Sequence, residues 1–435
     1  YIEDTFNPLR LEGSGIDSEQ NLLQEMQRLT TQKSSAALDG SGHGGARIGS
    51  GQKLYIVCYH LPVRIHRTGD PRKPFELSWA ESLIAKSVKS VSEEIDVVWL
   101  GTCKVPEPKP TDEEMEALLV ILDEKNCIPV FIDPGLASLH YRGYCKHILW
   151  PVFHNVDQLD QIHSAWNVGG LNKADTPVVN RLRSKSTDGA RPTQASILAD
   201  EQEEKWMKNE AEYYEAYNEV SRVFDRRLAE LLQPDDIVWV HDYHLMLLPK
   251  MIRDRAISDL RIIFFLHIPF PTSQIFRSLG SATDILSSII CADIIGFHAF
   301  DHTRHFLNAT KRMLGVSSVT LQGGLLALNV DEREVIVTMS HVSIEPGTVD
   351  KTLILPEVLE AVEHFKQLYA GRRIIVGIDV CQRLSGNALK LAAFDKLLTD
   401  RGGGKVVLIQ RCLRPGARLG DEETTSSDLR QMVHD

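Results

Sequence analysis

The sequence predicts an α/β protein built on doubly wound parallel sheets, in two sets of strands and helices of unequal size. Two observations carry this prediction. Short runs of Val, Ile, Leu and Phe recur along the chain without polar alternation, the pattern of parallel strands that are covered on both faces. Stretches with helical spacing of apolar residues separate many of these runs, and strands that alternate with helices indicate a doubly wound sheet.

The elements follow in chain order. The predicted strands are Leu54–Cys58, Val97–Gly101, Ile128–Ile132, Ile237–His241, Arg261–His267, Ile294–His298, Glu334–Met339, Arg373–Asp379 and Lys405–Gln410. The predicted helices are Glu113–Lys125, Asn209–Leu232, Ala282–Cys291, Thr303–Leu314 and Pro356–Ala370.

Three features set the predicted domain organisation. Residues 1–52 end in a Gly- and Ser-rich stretch and predict a flexible lead-in; its GxGxxG segment has no strand before it, as a dinucleotide loop would need. Asp157–Glu203 is polar and predicts a loop insertion. A change near Pro346 divides an N-terminal domain, residues 53–348, from a C-terminal one, residues 349–435. Two strands are too few for an independent open sheet, so the second domain is predicted to be partial.

Composition excludes several classes of function. The 48 basic and 59 acidic residues of the 435 leave a net charge of −11, which argues against a nucleic-acid binder. No apolar run approaches the 18 or so residues of a membrane span, so no membrane association is predicted. Seven widely spread cysteines without a CxxC pair argue against a disulfide framework or zinc site and favour a reducing, cytoplasmic location.

Polar residues after strands are the first candidates for function, because ligands of doubly wound sheets bind beyond the carboxyl ends of the strands. Asp242 follows the strand that ends at His241, and His267 ends the next one. A carboxylate and an imidazole in a cleft can bind sugar hydroxyls or act as acid and base. The alternative is that Asp242 caps the following helix and His241 packs in the core. The pattern alone leaves both open.

A second cluster surrounds Tyr141 and Trp150, with Arg142 and Lys146 between the aromatic residues. Rings can cover the apolar face of a sugar while the cations bind a phosphate. Ordinary packing of Tyr and Trp at the edge of a core is an equally good explanation.

His298, His302 and His305 are spaced so that a helix would place them on one face, where three imidazoles could bind a metal ion. His298 has the context of a strand end, and no carboxylate or cysteine joins the three in a recognised pattern. No metal ion is predicted.

Four sequence motifs occur together in this chain, and their combination is specific for one protein family. Trp239–Pro249 (WVHDYHLMLLP), Phe265–Pro271 (FLHIPFP), Ala292–Phe306 (ADIIGFHAFDHTRHF) and Tyr141–Phe153 (YRGYCKHILWPVF) closely resemble the synthase domain of trehalose-6-phosphate synthases. The resemblance implies a GT-B fold, in which two Rossmann-like domains face a cleft. It also implies transfer of glucose from UDP-glucose to glucose 6-phosphate, with retained configuration and no metal ion or other cofactor.

The resemblance assigns roles by position. Asp242 would contact the acceptor sugar and His267 the transferred glucose, so these two are the predicted catalytic residues. Tyr141 and Trp150 would line the glucose 6-phosphate pocket, and Arg418 would bind its phosphate. The donor UDP-glucose would be held by three residues of the second domain: Gly377, Asp379 and Arg383.

The departures from the family pattern are concentrated at phosphate-binding positions. His60 stands where the family has arginine, and Val380 and Ser385 replace the arginine and lysine of the donor motif. Losing two charge-assisted hydrogen bonds would cost about 3–6 kcal/mol, or roughly 10²–10⁴ in donor binding or turnover. Arg383 lies in the same loop and could substitute.

Two further variant segments, Phe75–Leu83 (FELSWAESL) and Trp99–Val105 (WLGTCKV), resemble the plant-type class II branch of the family. The alternative function is therefore a catalytically weak or inactive regulatory homologue that senses a sugar phosphate. A transferase for another nucleotide sugar or acceptor is a further alternative. A trehalose-6-phosphate phosphatase domain or subunit and a second copy of the chain are the expected protein partners.

Overall fold

A computed structural model describes residues 52–70, 72–79, 95–105, 108–155, 194–321, 324–341, 346–401, 405–414 and 419–434. They form two compact units. The first contains the described residues up to Tyr141, with Val152–His154 and Ala216–Pro346. The second contains Arg142–Pro151, the described residues from Asn155 to Glu215, and those from Gly347 onwards. The predicted lead-in, except residue 52, lies outside the described residues.

Every predicted strand is confirmed, with small differences at the ends. The strands of the described part are β1 Lys53–His60, β2 Val63–Asp70, β3 Lys73–Trp79, β4 Asp96–Thr102, β5 Cys127–Val130, β6 Ile237–His241, β7 Arg261–Leu266, β8 Ile294–Phe297, β9 Ser318–Thr320, β10 Leu326–Val330, β11 Arg333–Met339, β12 Arg373–Val380 and β13 Val406–Leu413.

The first unit is built on a nine-stranded sheet with the order β5-β4-β1-β6-β7-β8-β11-β10-β9. The seven strands from β5 to β11 pair in parallel, and β10 and β9 complete the edge in antiparallel fashion. The carboxyl ends of β1, β6, β7 and β8 therefore lie side by side along one edge of the sheet. This is the edge at which the sequence predicts a ligand site.

The helices of the described part are numbered in chain order. They are α1 Asp112–Asp123, α2 Pro134–Ser138, α3 Trp150–Phe153, α4 Gln194–Ala229, α5 Leu248–Asp254, α6 Ser273–Phe276, α7 Ala282–Ile289, α8 Phe300–Leu314, α9 Pro346–Leu353, α10 Pro356–Leu368, α11 Asn387–Arg401 and α12 Leu419–His434. A π-helix spans Leu139–Leu149, and 3₁₀ turns span Tyr243–Leu245 and Arg383–Ser385. None of these helices combines the length and apolar character that a membrane span requires.

The predicted loop insertion is wrong over its last ten residues, 194–203, which begin helix α4. The segment that follows Pro192 contains no Pro or Gly and is rich in Ala, Glu, Gln and Lys, which are strong helix formers. This intrinsic preference outweighs the polar composition on which the loop prediction was based. The rest of the predicted insertion, residues 157–193, lies outside the described residues.

One face of the sheet is closed by elements close in sequence to β1. The hairpin β2–β3, which the sequence analysis did not predict, packs with α1 over β1, β4 and β5, and buries Phe75, Leu118 and Leu122. Arg67 connects the hairpin to α1. Its guanidinium lies 4.9 Å from the centre of the Phe75 ring on β3 and forms an ion pair with Glu114 of α1 at 3.0 Å. Strand β2 was not predicted because Arg, His and Thr on its exposed side interrupt the apolar residues, so the segment contains no apolar run.

The second unit contains the two-stranded parallel sheet β12–β13, paired in register from Arg373↔Val406 to Val380↔Leu413. Val376 and Ile378 on β12 are each 65% exposed, so described residues cover little of this strand. The two-strand count agrees with the sequence prediction, while the predicted domain boundaries stay a prediction.

Candidate functional site

Asp242 occupies a backbone conformation that normally requires glycine. Its φ is 70° and its ψ 173°, directly after β6 and before the 3₁₀ turn Tyr243–Leu245. Non-glycine residues in this region carry a strain of about 1–3 kcal/mol and cluster at functional sites. The carboxylate makes no cap hydrogen bond to the following turn. The alternative role as a helix cap is therefore wrong.

The Asp242 carboxylate is held at the ends of two strands. Its Oδ1 accepts a hydrogen bond from the His267 N–H at 3.3 Å, and its main-chain N–H donates to the Phe265 carbonyl at 2.7 Å. Its Oδ2 lies 3.5 Å from Nδ1 of His244. The carboxylate is 22% exposed. The structure thus brings together Asp242 and His267, which stand at the ends of two neighbouring parallel strands.

Two imidazoles meet beside this carboxylate. Nδ1 of His241 lies 2.9 Å from Nε2 of His267, so one ring donates a hydrogen bond to the other. Burial lowers the pKa of His267 to about 3 and holds the pKa of His241 well below its usual range. Both rings are neutral at pH 7. His241 packs in the core, as the alternative in the sequence analysis proposed. It also contacts His267 of the candidate site.

Tyr141 lies in a stack of parallel rings. Its ring is 5.6 Å from His244 at an angle of 6°, and 5.5 Å from Tyr59 at 7°. His244 links this stack to Asp242 through the contact at Oδ2. Tyr141 and Asp242 therefore belong to one connected cluster of side chains, while their roles stay a prediction.

His60 flanks the same stack from the end of β1. Its ring is tilted against Tyr141 at 5.6 Å, and its Nδ1 lies 2.8 Å from Oγ1 of Thr102. The Thr102 hydroxyl donates its proton to the Tyr59 carbonyl at 2.6 Å, so it must accept from His60. The proton of a neutral His60 ring is therefore on Nδ1. An imidazole stands at this strand end where the resemblance leads one to expect a guanidinium.

Trp150 belongs to the second unit, at the start of α3. Lys146 places its ammonium group 4.3 Å from the centre of the Trp150 ring, within cation–π distance. This contact fits both interpretations of the cluster, a site for a phosphorylated sugar and ordinary packing of aromatic residues. The role of Trp150 stays a prediction.

The predicted donor residues surround the carboxyl end of β12. Asp379 accepts a hydrogen bond from Gln410 Nε2 at 2.8 Å and pairs with Lys390 of α11. The hydrogen bond from Lys390 and that from Gln410 lower the pKa of Asp379. Arg383 lies in the adjoining 3₁₀ turn. Arg418 lies outside the described residues.

Packing against Gln410 explains why position 377 is a glycine, and the sequence analysis did not predict this contact. A Cβ at this position would collide with the carboxamide of Gln410, which lies across the neighbouring strand β13. The side chain of Gln410 reaches Asp379 because Gly377 leaves room for it. Lys390 and Gln410 were also missed. Strand pairing brings Gln410 to Asp379, the position of α11 brings Lys390 there, and no local sequence signal marks either residue.

A group of three or more His, Cys, Asp or Glu side chains that could hold a metal ion does not occur among the described residues. Helix α8 begins at Phe300, after His298, so the helix face needed for three histidines does not form. Burial lowers the pKa of His298 and of His302. His305 Nδ1 instead lies 3.1 Å from the Phe270 carbonyl.

Comparison with known proteins identifies relatives over most of the chain. The sequence model of glycosyltransferase family 20 matches residues 52–168 and 193–435. Alpha,alpha-trehalose-phosphate synthase (UDP-forming) 5 of Arabidopsis thaliana is 31% identical over 88% of this chain and 39% of its own length. Synthase 1 of the same plant is 29% identical over 99% of this chain and 40% of its own length. The chain thus spans about two fifths of these relatives, and the plant proteins among them agree with the plant-type resemblance.

Solved structures confirm the GT-B fold. The N-terminal domain of Candida albicans trehalose-6-phosphate phosphatase has a TM-score of 0.63 and 21% identity, and the match covers 91% of this chain and 71% of that one. An alpha,alpha-trehalose-phosphate synthase (UDP-forming) from Burkholderia xenovorans in complex with glucose-6-phosphate has a TM-score of 0.59 and 19% identity, with 87% and 70% covered. At these identities the likeness concerns the fold alone.

Proposed function

The chain belongs to glycosyltransferase family 20, and we propose that it transfers glucose from UDP-glucose to glucose 6-phosphate, forming trehalose 6-phosphate and UDP. The names of its plant relatives, which are UDP-forming trehalose-phosphate synthases, support this reaction. So does the glucose-6-phosphate bound by the Burkholderia xenovorans protein of the same fold. The single observation that carries the proposal is the strained Asp242 beside His267 at the carboxyl edge of a parallel sheet.

Asp242 and His267 would position the sugars. The carboxylate would accept hydrogen bonds from acceptor hydroxyls, and the neutral His267 ring would offer Nδ1 to the transferred glucose, since Nε2 faces His241. A ring whose pKa is about 3 stays neutral, so it would add no charge beside the reacting carbon. In the retaining mechanism of the proposed reaction, the leaving phosphate helps to take the acceptor proton. Alignment of donor and acceptor would then be the main contribution of these side chains.

Tyr141 and Trp150 would line the acceptor pocket, with Arg418 on its phosphate, while Gly377, Asp379 and Arg383 would hold the donor. The neutral Val380 and Ser385 would weaken the donor site unless another cation compensates. A solved domain of this fold belongs to a trehalose-6-phosphate phosphatase, which supports a phosphatase domain or subunit as partner. Self-association and a cytoplasmic location stay predictions.

The test is UDP release from UDP-glucose, with and without glucose 6-phosphate, by the full-length gene product beside this chain. We expect release that depends on glucose 6-phosphate and is abolished in Asp242→Ala with the fold retained. Release by Asp242→Ala at the wild-type rate would remove the site assignment. No release from the wild type, with calorimetry still showing glucose 6-phosphate binding, would contradict the enzymatic proposal and identify a regulatory sugar-phosphate sensor.

A further inference from the structure

The backbone strain at Asp242 needs a structural restraint, because a non-glycine residue keeps this conformation only where its surroundings over-determine it. We propose that Tyr217 of α4 is a positioning residue for Asp242, acting with His140 by clamping the turn that follows it. The effect on turnover rests on the proposed function; the clamp itself can be tested without it.

The Tyr217 hydroxyl binds the turn at two points. It donates a hydrogen bond to the Tyr243 carbonyl at 2.7 Å and accepts one from the Met246 N–H at 2.8 Å. These groups belong to the first and fourth residues after Asp242. The Tyr217 side chain is fully buried, so water cannot take over either bond.

His140 binds the residue between these two points. Its Nε2 donates a hydrogen bond to the His244 carbonyl at 3.0 Å, and its ring stacks on Tyr217 at 5.2 Å and 7°. Burial lowers the pKa of His140 to about 4, so the ring is neutral at pH 7 and its proton is on Nε2. Two stacked, buried side chains thus hold three main-chain groups of one short turn.

The clamp is anchored in the core. Tyr217 shares a face of α4 with Val220, Phe224 and Leu228, all of which are fully buried. On its other side Asp242 is fixed to the sheet, since its N–H donates to the Phe265 carbonyl of β7. The peptide group before Asp242 is therefore held by the sheet, and the turn that begins at the Tyr243 carbonyl is held by α4. Loss of the Tyr217 hydroxyl would let the turn relax towards an ordinary conformation and move the carboxylate.

The variant is Tyr217→Phe, which removes one oxygen and keeps the ring stack. The matched control is Tyr55→Phe. The Tyr55 hydroxyl donates to the Leu231 carbonyl at 3.2 Å from the amino-terminal half of β1, away from the carboxyl edge. Both variants lose the same atom and a hydrogen bond to a main-chain carbonyl, and Tyr217→Phe also loses the bond from the Met246 N–H. A general loss of stability from removing a buried hydroxyl would therefore appear in both.

Three kinds of measurement are made on the full chain at a temperature where all variants are folded. They are deuterium uptake of the Asp242–Met246 segment, affinity for glucose 6-phosphate by calorimetry, and kcat and KM of UDP release. We expect uptake in Tyr217→Phe to be at least about 10-fold faster. Displacement of a catalytic group by about 1 Å can lower the rate by roughly 10²-fold, so kcat should fall about 10- to 100-fold, with a smaller change in KM.

Tyr55→Phe should match the wild type in all three measurements. Wild-type uptake and kcat in Tyr217→Phe, or equal losses in both variants, would overturn the proposal. If the wild-type chain releases no UDP, the proposed reaction fails, and uptake and glucose 6-phosphate affinity decide the positioning role alone. Faster uptake with an affinity about 10-fold weaker would then support it, and unchanged values would refute it.

Discussion

Replacing Asp242 by Gly and by Ala separates the backbone strain of this residue from the function of its carboxylate. Both substitutions remove the acceptor of the His267 N–H bond, so that loss cancels in their comparison. Alanine keeps the Cβ that is unfavourable at φ 70° and ψ 173°, whereas glycine adopts this conformation freely. The difference in stability between the two variants therefore measures the strain.

The magnitude follows from two opposing contributions. Relief of strain favours Gly by about 1–3 kcal/mol. The greater freedom of Gly in the unfolded chain disfavours it by about 0.5–1 kcal/mol. We expect the free energy of unfolding of Asp242→Gly to be about 1 kcal/mol higher than that of Asp242→Ala. For a domain of this size, the Tm of Asp242→Gly should then be about 2–4 °C higher.

The assay is urea unfolding followed by circular dichroism, with the transition of the sheet-bearing unit fitted for both variants. Glucose transfer should be absent from both, so the more stable variant gains no activity. Equal free energies of unfolding, or a more stable Asp242→Ala, would refute the argument that Asp242 is strained. Transfer by either variant would refute the role of the carboxylate.

Two further predictions concern pH and the donor side. His140 and His267 have pKa values of about 4 and about 3 when folded and near 6.5 when unfolded, so the unfolded chain binds more protons as the pH falls below 6.5. Between about pH 6 and pH 5, the free energy of unfolding should fall by about 1.4 kcal/mol per pH unit for each histidine. His267→Gln should make this dependence on pH less steep. Equal free energies of unfolding in urea at pH 7 and pH 5 would contradict the argument. Gly377→Ala should displace Gln410 from Asp379, destabilise the second unit by about 1–3 kcal/mol and weaken UDP binding measured by calorimetry. Gly347→Ala, whose Cβ meets no neighbour within 4 Å, is the control, and equal UDP affinities in the two variants would count against the donor assignment.

The positions of the strands along the chain and the strand ends that carry the candidate site could be predicted from the sequence. Apolar runs such as Arg261–Leu266 are recognisable because both faces of a parallel strand are buried. Carboxyl ends of adjacent parallel strands share an edge, so Asp242 and His267 had to lie close together. The motifs around these two residues also identified the family, which the comparisons confirm.

The surroundings of the site could not be predicted in the same way. Tyr217 is 25 residues from Asp242, and its hydroxyl bonds groups 26 and 29 residues further along the chain, so nothing in the periodicity of α4 distinguishes it from other core residues. Gln410 reaches Asp379 only through the register of β12 and β13. The polar hairpin β2–β3 is stable as a strand pair because it packs on α1, which its own composition does not indicate.

The sequence by itself determined the α/β architecture, the strand ends that carry the site and the family. These depend on the period of apolar residues and on short motifs, which are local properties of the chain. Only the tertiary structure decided the conformation of Asp242, the pairing of His241 with His267 and the clamp of Tyr217 and His140. Those features arise because groups distant in sequence satisfy each other's hydrogen bonds in a buried space, and that energy exists only once the sheet and α4 have packed.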